Sequence, residues 1–73
     1  MESRIRLLDV VALTNDVPAK SLRRGQVGTI VEIFEPGRYE VEFCDDEGRS
    51  YAQVALGDDQ LLVLHYTRQQ AAE

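Results

Sequence analysis

The chain has 73 residues, which is room for one small domain, and its 44% apolar and 29% charged side chains are those of a soluble globular protein. A domain this size buries only about 60% of the surface of its extended chain, so the core is thin and a deep catalytic cavity would compete with it. A net charge of -5 disfavours generic attraction to phosphate, and a single cysteine, Cys44, excludes an internal disulfide and a thiolate zinc cage.

The N-terminal apolar stretch before Asp9 is too short for a signal peptide or a membrane span, and the lone cysteine fits a reducing compartment, so a cytoplasmic location is expected. Asp9-Val10-Val11-Ala12-Leu13 has the β-branched and apolar content of a first strand. A polar loop runs from Thr14 to Arg24, and Pro18 keeps it from being a strand.

Val27-Gly28-Thr29-Ile30-Val31-Glu32-Ile33-Phe34 is the longest period-two segment. Uninterrupted alternation assigns Val27, Thr29, Val31 and Ile33 to the core face and Gly28, Ile30, Glu32 and Phe34 to the other. Glu35-Pro36-Gly37-Arg38 is a turn leading to an antiparallel strand from Tyr39 to Cys44. An even loop would put Ile33 opposite Glu40 and Val31 opposite Glu42. An odd loop, or a bulge beside the turn, aligns Val31 and Ile33 with Val41 and Tyr39 and gathers Glu32, Glu40 and Glu42 outside. The odd loop is predicted.

Asp45-Asp46-Glu47-Gly48 is a second turn, after which Ala52, Val54 and Leu56 point inward and Tyr51 and Gln53 outward. Asp59 opens a single helical turn before a closing strand, Leu61-Leu62-Val63-Leu64. The expected fold is all-β: a small SH3-like barrel of about five antiparallel strands with one short helical turn before the last, spanning residues 5–66, followed by a frayed or helical tail over residues 67–73. The alternative is an open, curled sheet that completes its core against a second copy, as a homodimer.

The chemistry-bearing residues are few. Cys44 sits beside Asp45 and Asp46, whose charge disfavours a thiolate, and His65 lies past the last apolar run with no second histidine. The acidic turn lacks the ligand order of a calcium loop, and the glycines do not form a phosphate-cradling fingerprint. No catalytic residue, metal site or cofactor is assigned, and the chain reads as a non-enzyme.

Two surfaces stand out. One is the outer sheet face, where Glu32, Glu40 and Glu42 are expected among Ile30, Phe34 and Tyr51, an acidic and aromatic patch suited to a basic protein partner. The other is Lys20, Arg23 and Arg24 at the end of the long loop, the alternative site for weak nucleic-acid or ribosome binding.

The segments Leu8–Leu13, Leu22 to Glu32, Tyr39–Phe43 and Gly48-Arg49 together resemble the small bacterial family known as domain of unknown function 4926, over nearly all of Leu7 to Leu64. Gly25 to Glu32 is also similar, more distantly, to the opening strand of KOW and other SH3-like modules, including the barrel of nitrile hydratase β subunits. The first resemblance implies a single-domain bacterial protein acting through a protein encoded nearby, with no activity to transfer. The KOW likeness implies ribosomal or RNA contact, and this chain departs from it in lacking a strongly basic surface.

Overall fold

In the computed structural model, which describes residues 5–68, five strands form one antiparallel sheet: β1 (Val10–Leu13), β2 (Val27–Glu35), β3 (Arg38–Cys44), β4 (Ser50–Gly57) and β5 (Leu61–Val63). Their spatial order is β4-β3-β2-β1-β5, so consecutive hairpins run from β2 to β4 and β1 is sandwiched between β2 and β5. Single 3₁₀ turns occupy Pro18–Lys20 in the long loop and Asp58–Gln60 before β5. The chain is all-β, as its period-two patterning predicts, and the connectivity with a one-turn helix before the last strand fits the SH3-like plan. By backbone pairing the sheet is open, with β4 and β5 as its two ends. Tail residues 69–73 lie outside the described residues, and no described helix is long and apolar enough to cross a membrane.

One core cluster lies on one side of the sheet, built from Val11 and Leu13 of β1, Ile30, Tyr39, Val41, Phe43, Val54, Leu56 and Leu61, with Ile5 and Leu22 covering it from the flanking segments. The expected core face of β2 is inverted over its first half. Gly28 pairs with Phe43 and Ile30 with Val41, so these face the core, while Val27 and Thr29 look outward. The reason is steric: a Cβ at position 28 would come within 2.7 Å of Val41 Cγ1 and 2.9 Å of the Glu42 carbonyl oxygen, so only glycine lets Val41 and Phe43 pack there.

A bulge at Val31 then shifts the alternation. Beyond it Glu32 pairs with Glu40 and Ile33 with Tyr39, which restores the apolar-to-apolar pairing expected next to the turn. The predicted odd loop is corrected: Glu35 pairs with Arg38 across a two-residue Pro36-Gly37 loop, and a second bulge at Phe34 sets the register. Proline followed by glycine at φ 89° is the combination of a type II turn, whose twist mismatches that of the strands, and the bulge absorbs the mismatch.

Candidate functional site on the outer face

The second bulge decides where the aromatic group of the outer face sits. Phe34 is the extra residue between the pairs Ile33–Tyr39 and Glu35–Arg38, at the end of the strand that carries Glu32, and it is 51% exposed. Glu32 lies directly opposite Glu40 on the neighbouring strand, and Glu42 follows two residues on, opposite Thr29 and Gln53. The expected acidic gathering of Glu32, Glu40 and Glu42 is therefore what the register produces. Among the described residues none of the three is in an ion pair, and Glu42 only accepts a 3.4 Å hydrogen bond from Gln53 Nε2.

Two members of the expected patch belong elsewhere. Ile30 is fully buried, because the inversion of β2 turns it toward Val41, and it offers nothing to a partner. Tyr51 is displaced by a third bulge: Cys44 pairs with Ser50 and Phe43 with Ala52, leaving Tyr51 as the extra residue on the core-facing side. Its ring lies 6.3 Å from that of the buried Phe43, and its hydroxyl accepts a 3.0 Å hydrogen bond from Gln26 Nε2. It packs at the rim of the core, away from the three glutamates, and is 49% exposed.

The outer face also carries an apolar row that alternation did not reveal. Leu62, Ala12 and Val27 are aligned across β5, β1 and β2, and Leu62 and Val27 are 58% and 46% exposed. The signal for it is Gly28 itself, since a glycine packed under Phe43 forces its neighbour Val27 outward. The outer face thus runs from apolar at the β5 end to acidic over β2 and β3.

The long loop places Lys20 in the first 3₁₀ turn and Arg23 and Arg24 just after the buried Leu22, all three exposed. A shallow groove there is lined by Asp16, Pro18, Ser21, Leu22 and Arg23. The backbone amides that an anion would need are already engaged: that of Arg24 donates to Asp16 Oδ1 at 2.8 Å, and that of Arg23 to Gln26 Oε1. Asp16 also sets a carboxylate in the groove, opposed to phosphate.

Cys44 is exposed at the end of β3, and no hydrogen bond joins it or His65 to a second titratable side chain among the described residues. In the turn that follows, Asp45 accepts bonds from the backbone amides of Arg49 and Glu47 and from Arg49 Nε. The Arg49 amide is the largest cause holding its carboxyl below the usual value of 3.8. Arg49 in turn pairs with Glu47 at 2.7 Å, so two of the three carboxylates of this turn share one cation. Among the described residues no group of three or more potential ligands is placed to hold a metal ion.

No curated protein and no solved structure matches the chain. The model of one family does, over residues 7–63, which takes in all five strands and both 3₁₀ turns. The chain belongs to the family described as Domain of unknown function (DUF4926).

Proposed function

We propose that the protein is a non-catalytic interaction module of the bacterial cytoplasm that recognises a basic protein partner through the outer face of β2 and β3. The observation that carries this reading is the directly opposed pair Glu32 and Glu40, with Glu42 beside them and no cation of the described residues paired to any of the three. Like charges across a strand pair are destabilising, and an arrangement that works against the fold is what a charge-steered docking surface requires. Phe34, half exposed in the bulge two residues beyond Glu32, supplies an apolar anchor of the kind that dominates interface energetics.

The test is affinity capture from the native lysate with three baits: wild type, Glu40→Lys/Glu42→Lys and Arg23→Glu/Arg24→Glu. The expected result is a basic partner held by the wild type and the arginine variant, lost from the glutamate variant and released by salt. Capture abolished by the arginine changes and unaffected by the glutamate changes would overturn the reading in favour of a nucleic-acid or ribosome contact through Lys20, Arg23 and Arg24.

A further inference from the structure

A sheet end presents a row of backbone donors and acceptors that pair readily with another chain, and natural proteins blunt such ends with charge, proline, bulges or brevity. Three stretches of this sheet have an unpaired side among the described strands, and two of them carry those devices. β5 is three residues long. The far half of β2, beyond its pairing with β1, has bulges at Val31 and Phe34, the charges of Glu32 and Glu35, and Pro36 at its end. β4 differs: it runs eight residues, Ser-Tyr-Ala-Gln-Val-Ala-Leu-Gly, with no charged residue and no proline, and it is regular from Ala52 to Gly57.

We propose that β4 is a docking edge, to which an extended segment of the partner, alternating cationic and apolar side chains, adds as a further strand. This rests on the reading of the acidic face above and specifies how a partner reaches it. The register fixes the chemistry of the occupant. On the outer side β4 presents Gln53 beside Glu42 and Ala55 beside Glu40. Ala55 is small and exposed, so a lysine or arginine opposite it on an added strand extends its aliphatic stem over the alanine methyl and sets its charge against Glu40. Opposite Gln53 a second cation meets an amide oxygen and, behind it, the Glu42 carboxylate. On the core side the alternate residues of the incoming strand lie next to Ala52, Val54 and Leu56, which calls for apolar side chains there.

Charge complementarity selects this occupant over a second copy of the chain. A β4-to-β4 pairing brings no cation to Glu40 or Glu42, since β4 itself has none, and it joins two acidic stripes on one continuous face.

The experiment uses the full chain and a blocked peptide of about nine residues alternating lysine and valine, the length of an ordinary strand. Controls are the same peptide with glutamate for lysine and one with alternate backbone amides N-methylated. Amide exchange and chemical shifts are read by NMR. The expected result is slowed exchange within Ala52–Gly57 on adding the lysine peptide, with no binding of either control. Ala55→Lys, which places an ammonium over Glu40 from the chain itself, is expected to weaken binding at least about tenfold, since it sets a like charge against the incoming cation. Ala55→Ser is expected to bind as the wild type.

Binding that survives N-methylation, with shifts confined to Phe34, Glu32 and Glu40, would overturn strand addition and leave the acidic-face reading standing. The absence of lysine-peptide binding while the glutamate-dependent capture from lysate persists would do the same. Slowed exchange at β4 on concentrating the protein alone, with a dimeric mass by sedimentation, would overturn the choice of occupant.

Discussion

Glu32 and Glu40 face each other across β2 and β3, so reversing one of them should stabilise the protein while it damages binding. Directly opposed side chains in an antiparallel pair interact by about 0.2–1 kcal/mol, with like charges unfavourable and opposite charges favourable. Glu32→Lys exchanges one sign for the other, a swing of about 0.4–2 kcal/mol before screening. Glu32 is exposed and Glu40 half-buried, so the upper part of that range is lost to solvent and about 0.5–1 kcal/mol is expected. For a domain this small that is roughly 2–8 °C in Tm.

The assay is urea unfolding at low and high salt on Glu32→Lys, Glu40→Lys, the double reversal, and Asp46→Lys. The last makes the same change in net charge on an exposed turn and so measures the general relief of self-repulsion. Each single reversal on the strand pair is expected to exceed Asp46→Lys, with an excess that shrinks in salt. The double reversal is expected to forfeit it, because two lysines again face each other. Gains that add in the double variant, or a Glu32→Lys gain no larger than that of Asp46→Lys, would refute the opposition as the cause. Stability rising as partner capture falls would mark these glutamates as retained for binding and not for folding.

Two further outcomes follow from the packing and the turn. Gly28→Ala forces a methyl against Val41 and a carbonyl of the adjacent strand, and is expected to destabilise by about 3 kcal/mol in urea unfolding; a loss below about 1 kcal/mol would contradict the close approach. Asp45 has its folded-state pKa lowered, so its contribution is present above the unfolded value and lost as pH falls through the folded one. Between pH about 5 and 3 the wild type is therefore expected to lose more stability than Asp45→Asn, and equal losses would remove the turn's carboxylate from the account.

The strands were legible because apolar alternation, turn chemistry and a proline in the long loop agree on where each begins and ends. Facing was not, and each error traces to a bulge, which puts the stretch on one side of it out of step with the other. Counting from Val27 without interruption puts Ile30 outside and Val31 inside. The observed packing of Phe43 over Gly28 reverses both, and the bulge at Val31 then returns Ile33 to the side of Tyr39. Tyr51 departs from its expected outward side for the same reason, since it is the extra residue between Ser50 and Ala52 and its ring lies near that of Phe43. A bulge adds a residue without altering composition, so the pattern of residue types leaves little trace of it. Only the demand that Ile33 meet Tyr39 points to an irregularity, and an odd loop satisfies it as well as a bulge does.

The three bulges are also what separates the two edges of β2 and β4 in character. Two fall in β2, bringing Glu32 opposite Glu40 and making that half a poor template for another strand. The third falls at the start of β4 and leaves the six residues after it straight. The regular, uncharged end of the sheet thus lies next to β3, the strand that carries Glu40 and Glu42, with Ala55 as the small residue between the edge and the first of them. An apolar, pairing-competent edge in an acidic domain would ordinarily recruit any extended chain. In the proposed docking the neighbouring carboxylates would restrict it to chains that bring positive charge at alternate positions, giving specificity by repelling the others.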